Sequence, residues 1–271
     1  MGLGPPRTLT PRSKEAALKA LSLDGTMAKA RAMVGFVAFV YDWDPVTAER
    51  ELRRAVELGP QDPFNRSYLG IFLCTIGEED EGLDQFRHAL EFDPHSAMIH
   101  GQLAFTLYLL RRIDEAIDQA HESLRIDPSI MGGHVILALS YRRKDKFRDS
   151  LNEWKNVFLL QSAHRLAAAV ERVYQRSGYE AALGFAANRL VLACQLTRLL
   201  KFLPASRRPF VSTMAAAVLL AEARETDRCI AWLGRAVAER EPLAVGLTRF
   251  PHWDDLRGDP RFEELVQRVG I

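Results

Sequence analysis

The chain has 271 residues, 48% hydrophobic and 26% charged, which is enough apolar content for a continuous core at an ordinary charge density. A formal net charge of +1 excludes whole-molecule attraction to nucleic acid, and three cysteines, Cys74, Cys194 and Cys229, without CxxC spacing argue against a disulfide framework. The longest apolar run, 32–40, is short of the roughly 20 residues that a membrane span needs, and residues 1–11 lack the basic-then-apolar order of a secretory leader. The expected setting is therefore reducing and cytoplasmic.

In chain order, residues 1–12 hold Gly2, Gly4, Pro5, Pro6 and Pro11 and read as a flexible lead. Over 13–24, Ala17, Ala20 and Leu21 match the second helix of a hairpin whose first helix is missing. Four helix pairs follow over 28–62, 63–96, 97–130 and 131–163. Their close crossings are expected at Val34-Gly35, Leu69-Gly70, Leu103-Ala104 and Leu137-Ala138, where small residues let backbones approach. The turn Tyr41-Asp42-Trp43-Asp44-Pro45 is one residue longer than the others, with Asp44 and Pro45 placed as N-cap and first helical residue. A degenerate unit spans 164–208 with a turn at Ser177-Gly178, and another pair spans 209–245. Asp259-Pro260 opens a short capping helix within 254–271, and no alternating strand pattern is found.

These units keep time. Pro60, Pro94 and Pro128 stand 34 residues apart, and each closes the same small-and-large pattern. Its copies are Ala48-Leu52-Ala55, Gly82-Phe86-Ala89 and Ala116-Ala120-Ser123; Ser150-Trp154-Val157 keeps the period without the proline. A 34-residue helix-turn-helix period resembles the tetratricopeptide repeat (TPR). The expected fold is all-α: a right-handed α-solenoid of about six TPR-like helix pairs over 13–271, ending in a capping helix. The Tyr41-Asp42-Trp43-Asp44 turn and the tail Asp255-Leu256-Arg257-Gly258-Asp259-Pro260-Arg261-Phe262 resemble, more narrowly, bacterial TPR regions C-terminal to winged-helix regulators, nucleotide cyclases or serine/threonine kinases. Motifs of those effectors are absent from the sequence: there is no phosphate loop, kinase loop or basic recognition helix.

The resemblance implies a concave groove lined by the first helix of each repeat. The groove residues expected on that basis are Phe36, Phe39 and Val40, then Phe64, Ser67, Ile71, Cys74 and Thr75, then Met98, Gly101, Phe105, Tyr108 and Leu109. Arg142, Arg143, Arg172, Gln175 and Arg176 continue it and make its far end basic. Charge follows the same trend: residues 61–130 carry 13 acidic and 5 basic groups, and 131–221 carry 5 and 14. Such a groove suits a peptide with apolar anchors and an acidic end. Packing against neighbouring helices, or a small apolar ligand, are the other readings of the same residues.

A second surface is suggested by Arg189, Arg198, Lys201, Arg207 and Arg208 in a leucine-rich stretch without acidic residues. Inter-repeat packing, a subunit contact, anionic lipid and nucleic acid are the alternatives there. His100 and His134 share a repeat position, but no Cys or acidic neighbour completes a metal set. The run Glu78-Glu79-Asp80-Glu81 fits a helix start rather than acid–base chemistry. No catalytic residue, metal or cofactor is expected. The function expected is a non-catalytic, regulatory protein–protein scaffold; a ligand-sensing domain for a DNA-binding or catalytic partner and a peripheral membrane scaffold are the alternatives.

Overall fold

Hairpins of α-helix, set by the 34-residue period, make up the computed structural model, which describes residues 6–199 and 210–270 and contains no strand among them. Helix α2 (Ala28–Val37) packs on α3 (Pro45–Leu58), α4 (Pro63–Ile76) on α5 (Glu79–Phe92), α6 (Ala97–Leu109) on α7 (Ile113–Ile126), and α8 (Met131–Arg143) on α9 (Phe147–Leu160). The fifth unit is α10 (His164–Leu199), which leaves helical geometry at Gly178 (φ 82°, ψ −173°) and so divides in two. The sixth pairs α11 (Thr213–Glu222) with α12 (Thr226–Ala238). First helices also touch in succession, α2 to α4 to α6 to α8, which makes the stack a solenoid.

Helix α1 (Pro6–Leu23) starts earlier than the sequence suggests, so residues 6–12 are helical turns rather than a lead. It packs on α2, and Lys14 pairs with Asp42 at 2.5 Å. At the other end α13 (Pro260–Val269), capped by Asp259, packs on α12.

The repeat can be read atom by atom. Each of the first four pairs turns through a left-handed residue: Trp43, Gly77, Arg111 and Asp145, with φ of 60°, 106°, 63° and 55°. Only one is glycine, so three turns carry a backbone cost of about 1 kcal/mol or more. The extra residue of the first turn is absorbed as a π-helical turn over Ala38–Asp42. At the second crossing, a Cβ on Gly70 would lie 2.9 Å from both the Gly82 carbonyl and the Phe86 ring.

A polar staple recurs beside these crossings. Arg66 donates to the Pro60 carbonyl at 2.6 Å and to Gln85 at 2.9 Å. His100 joins the Pro94 carbonyl (3.1 Å) to Gln119 (2.7 Å), and His134 joins that of Pro128 (3.3 Å) to Glu153 (2.6 Å). Arg31 does the same with Gly25 and Glu51. The shared position, Arg or His, therefore ties each closing turn to the second helix of the following repeat. Glu153 raises the His134 pKa, because the imidazolium is the form that donates to it.

Helices α5, α7, α9 and α12 lack side-chain caps and carry acidic residues in their first turns. This accounts for the acidic run at 78–81 through the helix dipole. Apolar side chains form two clusters, one over the first repeats and one from the third repeat onward. Val245, near the C-terminus in sequence, belongs to the first cluster.

Candidate functional site

The position of Val245 follows from what the chain does after α12. Pro242 and Pro251 each open a short 3-10 turn, Pro242–Gly246 and Pro251–Leu256, and no long helix forms between them. This segment, 239–257, runs as a strap along the ends of the first helices. Glu241 fixes its start: the buried carboxylate accepts from the Thr213 backbone N–H (2.6 Å), the Ser212 hydroxyl (2.5 Å) and the Thr213 hydroxyl (2.6 Å) at the N-terminus of α11.

Strap residues then meet successive repeats. Arg240 donates to the Tyr41 carbonyl at 2.7 Å and lies 4.2 Å from the Trp43 ring centroid. Arg249 approaches Glu79 at 3.7 Å. Phe250 packs edge-to-face on Phe105, centroids 5.2 Å apart, and Gly246 permits this ring position because a Cβ there would lie 1.9 Å from it. The Tyr108 hydroxyl meets His252 Nδ1 at 3.3 Å, Arg143 donates to the Pro251 carbonyl, and Arg111 pairs with Asp254.

Electrostatics follow burial. Desolvation, with Arg143 nearby, pushes His252 down to about 3 and keeps it neutral; desolvation raises the Tyr108 phenol. Burial alone would raise Asp254, but hydrogen bonds from Arg111 and Arg257 bring it to about 2.

The expected groove residues separate accordingly. Phe105, Tyr108 and Arg143 are brought together, beneath and beside the strap. Tyr108 is fully buried there rather than lining an open groove. Phe39 and Ile71 are core residues: Phe39 packs edge-to-face on Phe72, because the close crossing turns it inward. Val40, Ser67, Cys74, Thr75 and Leu109 are buried as well. Phe36 and Phe64 sandwich Tyr68 between α2 and α4, centroids 4.1 and 4.2 Å away, half-buried. Met98 is exposed.

Arg142 turns away from the strap, toward the Phe147 ring (5.0 Å) and Glu180 (4.0 Å) in the fifth unit. Arg172, Gln175 and Arg176 are exposed on α10. Of the second surface, Arg189 stacks over Phe185 at 5.2 Å, and the Arg198 backbone lies in α10. Lys201, Arg207 and Arg208 lie outside the described residues.

Two features had no sequence signal in the repeat pattern. One is the strap; its only local mark is the aperiodic apolar run Phe250-Pro251-His252-Trp253 after the last helix pair. The other is a cavity of about 420 Å³ bounded by α6, α8, α9, α10, α11 and the strap. Beside it, Ser150, Tyr179 and Glu222 form a buried chain with 2.7 Å links, and burial raises Glu222 to about 7. Among the described residues no group of three His, Cys, Asp or Glu is arranged to hold a metal ion, and no helix is long and apolar enough to cross a membrane.

Paired helices in 34-residue register, crossing at small residues, define an α-solenoid. Its 34-residue period is that of the tetratricopeptide repeat, which the sequence resembles. A structure of a monomeric IFIT1 mutant matches over 96% of this chain and 67% of its own, at 16% identity and a TM-score of 0.54. The Pseudomonas aeruginosa protein pilF covers 89% of this chain and 97% of its own at 16% identity and a TM-score of 0.49. YrrB, described as a TPR protein with an unusual peptide-binding site, covers 60% and 84% at 21% identity and a TM-score of 0.43. No protein-family model matches the sequence, and no curated relative aligns with it.

Proposed function

We propose that this chain is a non-catalytic, regulatory TPR scaffold of the cytoplasm. Its groove takes an extended segment with apolar anchors and an acidic end, and the strap fills it in cis. The observation that carries this reading is the occupant itself. Phe250 and His252 sit on Phe105 and Tyr108, and Asp254 ends the run on Arg111, which is the chemistry expected of a partner peptide. A partner segment of the same character would compete with the strap, and its affinity would be reduced by the fraction of molecules in which the strap is seated.

The test is a fluorescently labelled peptide of sequence 239–257 added to the full chain. It should bind weakly to the wild type and more tightly to the Arg240→Ala/Asp254→Ala variant, whose own strap is loosened while the groove is intact. Adding Phe105→Glu should remove that binding. A peptide that binds no variant, or binds equally well after Phe105→Glu, would sink the groove reading.

A further inference from the structure

We infer that the 420 Å³ cavity under the strap is a binding site for an uncharged, hydrocarbon-rich small molecule. The inference stands on the cavity alone and does not depend on a peptide entering the groove.

The walls come from six separate parts of the chain, represented by Tyr108, Ile136, Trp154, Leu190, Val218 and Phe250. Protein interiors seldom leave voids larger than a water molecule, and ligand sites are apolar concavities of about 300–1,000 Å³. Small residues border its open side: Gly132 and Ala215 are both exposed there, and a Cβ built on Gly132 meets no atom within 4 Å.

The lining also specifies the ligand's charge. Among the described residues no Asp, Glu, Lys or Arg borders the space. Its two ionisable side chains, Tyr108 and His252, are bonded to each other and neutral. A charged group entering here would lose its hydration with no counter-charge, a cost well beyond what hydrocarbon burial returns. Gln161 supplies a neutral hydrogen-bonding group at the exposed side, beside Met131 and Leu243, which are 43% and 45% exposed and mark the mouth. Pliable Met and Leu side chains suit an entrance that must part. A partner's helix, about 10 Å across, would need an open face on the side where the strap forms a wall.

Because Phe250 and Trp253 belong to the strap, a ligand here binds the seated strap and not the released one. Mass action then makes occupancy hold the strap down.

The experiment uses the full chain and neutral Nile red as the probe, with 1-decanol, decanoate and decyltrimethylammonium as competitors. Saturable binding is expected. Displacement by 1-decanol should be at least about tenfold more effective than by either charged analogue. Gly132→Phe should weaken probe binding by about tenfold or more while the circular dichroism and melting temperature are kept. Ala215→Phe, on α11 at the open side, decides the matter if Gly132→Phe fails to fold. An absence of saturable binding by the wild type, equal displacement by the charged analogues, or undiminished binding by the folded narrowed-mouth variants would each overturn the inference.

Discussion

Arg111 and Asp254, 143 residues apart in the chain, meet through two parallel hydrogen bonds of 2.5 and 2.7 Å. Arg111 is also the left-handed turn residue of its repeat, so one position both reverses the chain and anchors the strap. The pair is about half and one-third exposed, so its energy is that of a good surface bridge and not of a buried one. A double-mutant cycle with Arg111→Met and Asp254→Asn should give a coupling of about 0.5–1 kcal/mol. Either single change should speed hydrogen exchange across 239–257 while leaving α6 and α7 protected. Zero coupling would mean that the geometry is incidental to seating the strap.

Gly70, at a repeat crossing, and Gly132, exposed at the start of α8, contrast a packed glycine with an open one. At Gly70 an added methyl meets backbone and ring atoms at 2.9 Å, so Gly70→Ala should destabilise the chain by about 1–3 kcal/mol. Gly132→Ala meets nothing and gains helix propensity, so it should stabilise by about 0.5–1 kcal/mol. Urea denaturation of both variants checks the contrast. Equal effects would show that small residues at the crossings are not steric requirements.

Glu222 and His252 should oppose each other in the pH dependence of stability. Glu222 is raised from 4.5 to about 7, so its stabilising contribution is full below pH 4.5 and is lost as pH rises through about 7. His252 is lowered from 6.5 to about 3, so its contribution is full above pH 6.5 and declines as pH falls toward 3. Between pH 4.5 and 6.5 the two slopes largely cancel in the wild type.

Substitution unmasks each slope. Glu222→Gln still accepts from Tyr179 and should leave a chain that loses stability on acidification, at up to about 1.4 kcal/mol per pH unit from His252. At pH about 8 the same variant should exceed the wild type by an amount on the order of 1–3 kcal/mol, since a buried carboxylate charge is removed. Wild-type and Glu222→Gln denaturation curves with the same pH slope would refute this assignment.

His252→Gln should show the reverse pattern, gaining stability as pH falls from about 7 toward 5, because only the Glu222 contribution remains. Its signature should also be local. Acid-induced exchange of 239–257 in the wild type should be blunted in the variant, since a neutral side chain has no proton to take up. Strap exchange with identical acid sensitivity in both proteins would count against a buried neutral imidazole as its cause.

The sequence by itself determined the repeat. Small residues at Gly35, Gly70, Ala104 and Ala138, closing prolines at 60, 94 and 128, and acidic helix starts are local signals. Each acts through its own backbone conformation or its nearest helix, so position alone reveals it. The same arithmetic placed Phe105, Tyr108 and Arg143 on first helices but could not separate groove from core. A helix rotation of about 100° per residue moves a side chain such as Phe39 from one to the other, and its contact with Phe72 sets the outcome. What only the tertiary structure decided is the strap and the cavity beneath it. The strap has no period, because its prolines and 3-10 turns interrupt regular helix, and its partners on the first three repeats lie more than a hundred residues earlier in the chain. The cavity is a property of six elements at once, and no single one of them carries its shape.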